Sequence, residues 1–290
     1  MIQDIAPHRL WNQYDPSRKA NPDSRVLCFR EDRIFLLEGD FPRLRDLPGT
    51  NPEELVFLFS MDQTEDYFLL EDPEDPLRAR PAGAALPEGG AWFVPRELRG
   101  KSLLPREKMF ALYTALQLSR WYRSNRFCGR CGARTFHDAK ERAIRCACGH
   151  LIYPRVVPAV IVGVVSRGRL LVTKYRTGFA FFALIAGFAE IGETLEETVA
   201  REVMEEAGLR VRNIRYYKSQ PWGIADDLLT GFWCEADGDD TIRMDPGELG
   251  LAEWRAPEDV ELQPDDYSLT NEMMTMFKKG LSPFSPGAGS

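Results

Sequence analysis

Glu202, Glu205 and Glu206 crowd one short stretch of a segment running from Gly187 to Leu209, GFAEIGETLEETVAREVMEEAGL, and they constrain this chain more than any other feature. The rest of the segment predicts a helix. Thr194 and Glu197 have capping-box spacing; Leu195, Val199, Val203 and Ala207 recur every fourth position as one apolar stripe; Gly208 supplies the stop. Off the stripe, Glu202 meets like charges three and four residues on, each costing about 0.2 to 0.5 kcal/mol on an exposed helix. Either solvent screens this acidic face or a cation compensates it. Oxygen-only ligands on a rigid element suit Mg²⁺ or Mn²⁺, hard cations that join protein carboxylates to substrate phosphates.

The 290 residues are enough for two domains with cores of their own, and 44% apolar and 28% charged residues are ordinary globular proportions. A net charge of −7 argues against electrostatic capture of long nucleic acid, which draws on basic patches that displace counterions. The start, MIQDIAPHRL, lacks the pattern of a secretory leader, and no apolar run approaches membrane-spanning length, so no membrane partner is expected and the cytoplasm is the expected compartment. Four of the six cysteines lie between Cys128 and Cys148, a crowding that metal ligation explains better than disulfides.

Along the chain, VLCF, IFLL, LVFLFS, YFLL and AWFV predict strands of a small α+β or β-rich domain over residues 1–104, with EDPEDP and PAGAALPEGG as surface loops. Cys28, inside a strand, is expected in the core. Pro105 opens a linker helix, 105–126, in which Met109, Leu112, Leu116 and Leu118 have helical spacing and Trp121 and Tyr122 pack. Residues 127–154 follow as a ribbon. Cys128 and Cys131 form a C-x-x-C knuckle facing Cys146 and Cys148; four thiolates make a closed and therefore structural Zn²⁺ site. The second pair is one residue short, which leaves His150 within reach as a substitute ligand or the ribbon without metal. From 155 to 280, VVPAVIVGVV and LLVTKY flank a hairpin turn, with the first strand apolar on both faces. FAFFALIA reads as the next strand, RNIRYYKSQPW, LLTGFWCEA and LAEWRAP as later ones, and Leu269, Met273, Met274 and Phe277 as a closing helix; 281–290 reads as a loose tail.

The acidic segment resembles the Nudix box: Gly, five residues, Glu, seven residues, Arg-Glu, an apolar residue, any residue, Glu-Glu, any residue, Gly, apolar. Gly187, Glu193, Arg201, Glu202, Val203, Glu205, Glu206, Gly208 and Leu209 meet every specified position. No Walker loop and no G-x-G-x-x-G opening a helix are present, which disfavours P-loop enzymes and NAD-dependent redox enzymes. The order of strand-rich region, four-cysteine ribbon, Nudix box and Ser219-Gln220-Pro221-Trp222 resembles the zinc-ribbon NADH pyrophosphatases. The resemblance covers nearly the whole chain, the first domain in layout more than in motif. It implies an α/β fold, a Nudix α/β/α sandwich with a mixed sheet, preceded by a zinc ribbon and a strand-rich α+β N-terminal domain.

It also implies an NAD⁺ diphosphatase, a homodimer, that cleaves NADH, NAD or the NAD cap of an RNA 5′ end into a mononucleotide and AMP with Mg²⁺ or Mn²⁺. The implied metal ligands are Glu202, Glu205, Glu206, Glu248 and the Ala186 carbonyl, with Glu202, Glu205 and Glu206 catalytic; Gly187, Glu193 and Arg201 are implied as structural. Implied substrate contacts are Glu141, Tyr153, Gln220, Pro221 and Trp222, with Gly223, Asp227 and Thr270 on the same surface. Trp222 either stacks a substrate ring or belongs to the core. One departure stands out: the family follows its SQPW with Pro-Phe-Pro, any residue, Ser, whereas this chain has Gly223-Ile224-Ala225-Asp226-Asp227, and Thr270 replaces an alanine. A freed backbone at Gly223 and carboxylates facing the diphosphate are expected to weaken selection. Another nucleoside-diphosphate derivative (ADP-ribose, a dinucleoside polyphosphate or a CoA) and a non-catalytic binding scaffold remain the alternatives.

Overall fold

The computed structural model describes residues 1–71, 87–101 and 103–284 and divides into two compact units. One comprises residues 4–155 with 223–225, the other residues 1–3, 156–222 and 226–290. The helix and the ribbon expected as separate segments are thus parts of one unit with the N-terminal domain, and the first three residues belong to the Nudix-box unit instead.

In the first unit a six-stranded sheet is built from β1 (Leu10–Trp11), β2 (Arg25–Arg30), β3 (Arg33–Leu37), β4 (Leu55–Met61), β5 (Glu65–Leu70) and β6 (Gly90–Phe93) in the order β1-β4-β5-β2-β3-β6. The five expected strands are present, and Cys28 is buried. Most of the EDPEDP and PAGAALPEGG loops lies outside the described residues. After α1 (Pro95–Lys101), α2 (Arg106–Ser124) starts from an N-cap at Pro105 and buries Met109, Leu112, Leu116, Leu118, Trp121 and Tyr122. The ribbon is a three-stranded meander of β7 (Phe136–His137), β8 (Ile144–Arg145) and β9 (Leu151–Ile152).

The second unit is a mixed sheet between two helices. Its strands are β10 (Val157–Ser166), β11 (Arg169–Tyr175), β12 (Ile185–Phe188), β13 (Val211–Trp222), β14 (Asp227–Ala236) and β15 (Leu249–Arg255), ordered β13-β14-β10-β11-β15 with β12 also paired to β10. β10 and β14 run parallel. Alternation along β10 decides the layers. Ala159, Ile161 and Val165 join the core formed with Leu269, Met273, Met274 and Phe277 of α4 (Leu269–Lys278), while Val160, Val162 and Val164 join the core formed with Val199, Val203 and Ala207 of α3 (Leu195–Ala207). A central strand covered on both faces by helices has no polar side, which is why β10 reads as a continuous apolar run.

Two readings need correction. FAFFALIA is a strand only from Ile185, with a single isolated bridge, Thr173 to Ala183, before it. β11 already has β15 along one edge, and Phe182 is buried between the cations of Lys174 and Arg255, 3.9 and 4.2 Å from its ring centre, so apolar character here marks packing rather than pairing. The tail also starts packed: Ser282 is 1% exposed and Phe284 lies against the α4-side core.

Candidate active site

Helix α3 presents its carboxylates at the end of β12. The helix begins as its sequence predicts. The Thr194 hydroxyl accepts from the Glu197 N–H at 3.2 Å, the Glu197 carboxylate accepts from the Thr194 N–H at 2.8 Å, and Gly208 closes the helix at φ 67°. With the apolar stripe fixed to the sheet, Glu202 and Glu206 fall one turn apart and are both buried, whereas Glu205 turns to solvent.

The strand before the helix is shaped to receive them. A Cβ on Gly187 would sit 1.9 Å from the Glu202 Cδ and about as close to both of its oxygens, so only glycine lets this carboxylate lie against the backbone. Beside it, the Ala186 N–H donates to Glu206 Oε1 at 3.4 Å. Arg201 holds the front of the site: Nε and Nη2 donate to the two Glu193 oxygens at 2.6 and 2.9 Å, Nη1 donates to Glu202 at 2.7 Å and Glu205 at 3.0 Å, and Nη2 also donates to the Phe188 carbonyl at 2.9 Å. Those bonds hold the Glu193 carboxyl down at about 2. Glu193 and Arg201 thus clamp the loop to the helix.

Glu248 arrives by a different route. The last carbonyls of α3, orphaned by the end of the helix, accept from the following loop: Arg243 N–H to Ala207 at 2.8 Å and Asp245 N–H to Glu206 at 3.0 Å. β11 then pairs with β15 through a register shift between Lys174 and Tyr175, placing Tyr175 opposite Leu249, and the Arg176 N–H donates to the Glu248 carbonyl at 3.0 Å. Sequence reasoning missed Tyr175. Burial first, and then the charges of Glu206, Glu248 and Glu202, push its hydroxyl up to about 12. Its position at the end of β11 gave no sign of this, because the signal is the bulge.

The electrostatics fit a divalent cation. Burial, opposed by the Ala186 N–H and reinforced by Glu202, Glu248 and Asp245, pushes Glu206 up to about 8. Burial also raises Glu202, with Arg201 pulling the other way. Glu206 Oε2 is buried with no hydrogen-bond partner, a costly state for a polar atom that a bound cation would relieve. The donor set, carboxylates and the Ala186 carbonyl, is all oxygen, as Mg²⁺ and Mn²⁺ prefer. Among the described residues only the cysteines bring three or more ligand atoms within 4.8 Å of one another, so the glutamates stand wider, as like charges do.

Those cysteines are Cys128, Cys131, Cys146 and Cys148. The Cys128 and Cys148 sulfurs lie 3.7 Å apart and those of Cys131 and Cys146 3.5 Å, close to the roughly 3.8 Å edge of a tetrahedron with 2.3 Å zinc–sulfur bonds. The short C-x-C pair therefore reaches a fourfold site. His150 stands outside it, its Nδ1 3.4 Å from the Cys128 sulfur, in the place of a supporting partner.

The expected substrate residues divide. Glu141 and Tyr153 are in the first unit, where the Tyr153 hydroxyl donates to Glu141 Oε1 at 3.0 Å. In the second unit Gln220 is 0% exposed; its amide donates to the Gln3 side chain and the Tyr267 carbonyl, both at 2.8 Å, and accepts from the Leu269 N–H at 2.7 Å. This leaves Gln220 no free group for a ligand; it ties β13 to α4. Pro221 is exposed, Trp222 is half-buried against the α4-side core, and Thr270 is half-buried in the first turn of α4. Asp227 is 7% exposed and opens β14, opposite Trp222 on one side and Val157 on the other. The expected freedom at Gly223 is absent. Gly223 is buried, a Cβ there would meet the Tyr113 carbonyl oxygen at 2.3 Å, and Arg120 donates to the Ile224 carbonyl at 3.0 Å.

Residues 154–275 match the NUDIX domain and residues 123–153 the NADH pyrophosphatase zinc ribbon domain. Among curated proteins the chain is similar to the NAD-capped RNA hydrolase NudC of Shigella flexneri, 42% identical over 153 residues, and to that of Escherichia coli (strain K12 / DH10B), 41% identical over 153 residues. Each match covers 51% of this chain and 58% of the relative, so the chain spans little more than half the length of the proteins it matches. Among solved structures, a NUDIX hydrolase from Nitrosomonas europaea is 20% identical with a TM-score of 0.47, over 53% of this chain and 91% of that one. No described helix is long and apolar enough to cross a membrane.

Proposed function

We propose that this chain, a Nudix protein whose hydrolase domain follows an NADH pyrophosphatase zinc ribbon, hydrolyses the diphosphate bond of NADH or NAD to a nicotinamide mononucleotide and AMP, or that of an NAD-capped RNA 5′ end to nicotinamide mononucleotide and a 5′-monophosphate RNA. The observation that carries the reading is the buried Glu206 carboxylate with an unpartnered oxygen, set beside Glu202 where only a glycine fits. Such a site is unstable until a cation arrives. When bound, Mg²⁺ or Mn²⁺ supplies charge neutralisation at the diphosphate and Lewis acidity.

The protein's part is preorganisation. Glu202, Glu206, Glu248 and the Ala186 carbonyl would hold the cation, with Glu205 adding charge from the exposed side of α3. Arg201, clamped by Glu193, fixes the loop and keeps Glu202 oriented. Burial of Glu202 and Glu206 lowers the local dielectric, which strengthens every charge interaction made there. Trp222, half-buried in the same unit as the carboxylates, is the surface we assign to a nucleotide ring. Like the family it resembles, the chain is proposed to work as a homodimer, in a reducing compartment such as the cytoplasm, a reading that cysteines without disulfides support.

Mg²⁺-dependent turnover of NADH with products identified by mass tests this reading. Glu206→Gln and Glu202→Gln should each lower kcat by more than about a hundredfold with secondary structure unchanged, since the swap keeps size and helix propensity while removing charge. Turnover within about tenfold of the parent would defeat the assignment. The altered segment from Gly223 to Asp227 favours one second reading, hydrolysis of another nucleoside-diphosphate derivative such as ADP-ribose, which the same assay with a panel of substrates separates.

A further inference from the structure

Within residues 4–155, the unit that does not carry the carboxylates, the fold encloses a cavity of about 300 Å³ between β2, β5, α2 and the ribbon. Its lining is unusual for an acidic chain because it includes three guanidiniums, Arg123, Arg126 and Arg134. Arg123 is engaged: it donates to the Glu31 carbonyl and to Asp32. Arg126 and Arg134 form no ion pair or side-chain hydrogen bond among the described residues. They come from the two sides of one short ladder at the base of the ribbon, where Phe127 faces Arg134 across an isolated bridge and the Thr135 N–H donates to the Arg126 carbonyl at 3.0 Å. The pairing therefore fixes the spacing of their backbones. One acid lines the cavity, Glu71, and it already accepts from His137 Nε2 at 2.8 Å.

Rings complete the walls. Tyr122 is buried with its ring 4.9 Å from that of His137, and Phe136 is half exposed at the rim. Unpaired arginines select planar, multiply charged oxyanions, phosphate above all, because their donors match two oxygens at once. Aromatic walls select a planar ring. The volume lies at the small end of ligand sites, room for one nucleotide and not two. We propose that this cavity binds a mononucleotide, with its 5′-phosphate on Arg126 and Arg134 and its base among Tyr122, His137 and Phe136. The inference is independent of the hydrolytic reading, since none of these residues is assigned to that reaction.

Isothermal titration of the full-length, zinc-containing protein with AMP, in Mg²⁺, tests it against Arg126→Ala/Arg134→Ala. The parent is expected to bind AMP at a site that the double variant loses or weakens by more than about tenfold. Inorganic phosphate should bind the parent at least about tenfold more weakly than AMP, and NADH hydrolysis should stay within about twofold. Arg126→Lys/Arg134→Lys guards against misfolding: it keeps charge but not the two-pronged geometry, and should give intermediate affinity with zinc content unchanged. Isotherms identical in parent and both variants would overturn the proposal, as would inorganic phosphate binding as tightly as AMP. Because the readout compares binding between parent and variant, it stands whether or not NADH is turned over.

Discussion

Glu206 concentrates the physics of the site in one side chain. Its carboxyl keeps its proton up to about pH 8 in the folded protein, while the unfolded chain releases it near the ordinary value of 4.5. Between those values the unfolded state binds fewer protons, so without a divalent cation this residue makes stability fall as pH rises. Glu206→Gln cannot ionise and escapes the penalty. In Mg²⁺-free buffer it should match the parent near pH 4.5 and exceed it at pH 8 by several kcal/mol, about 4 at most. Added Mg²⁺ should raise the parent's melting temperature at pH 8 and leave the variant's nearly unchanged. A parent and variant whose difference does not move with pH would mean that Glu206 is solvated rather than buried.

At the scale of the element, α3 was almost wholly legible: cap, stripe and stop follow from local spacing, because an i, i+4 pattern fixes a helix face without knowledge of what packs on it, whereas the Glu193–Arg201 pair was implied by the resemblance alone. What spacing could not supply was the route of other segments to that face. The Tyr175 bulge and the Arg243 and Asp245 bonds to the α3 terminus depend on pairing across the sheet, and Gln220 was assigned to substrate because burial cannot be read from SQPW. Gly187 was implied as structural by the resemblance, and the structure gives a reason in the Glu202 carboxylate. Gly187→Ala should therefore displace Glu202 and lower kcat at least about a hundredfold while leaving α3 formed. Far-UV circular dichroism beside the rate measures both. Thr194→Ala, by contrast, should cost about 1 kcal/mol of stability through the lost cap and little activity. Equal losses of rate in the two variants would show that loop order, rather than the place of Glu202, governs turnover.

For the whole molecule, zinc and the segment after Trp222 decide what the two units contribute. The four sulfurs are spaced for a closed site, so protein purified without chelator should carry one equivalent of zinc per chain, and its removal should lower the melting temperature of the unit that holds the ribbon; less than half an equivalent by elemental analysis would point to a metal-free ribbon. The segment from Gly223 is a different matter. Two carboxylates facing a diphosphate would reject it, since unit charges about 4 Å apart interact by about 4 kcal/mol at an effective dielectric of about 20. The structure removes much of that threat: Asp227 is 7% exposed and paired on both sides within the sheet, and Gly223 is pressed on the Tyr113 carbonyl, so the stretch is ordered by α2 and β14 rather than freed by the lost prolines. A buried carboxyl acts on stability first. Asp227→Ser should lower the melting temperature, yet leave the ratios of kcat/KM among NADH, NAD, NADPH, ADP-ribose and diadenosine polyphosphates within about threefold of the parent's. Gly223→Ala should destabilise more, because the added methyl has only backbone to push against. A shift of tenfold or more in any of those ratios on Asp227→Ser, with stability unchanged, would place that carboxylate at the substrate after all and return selection to the segment's charge.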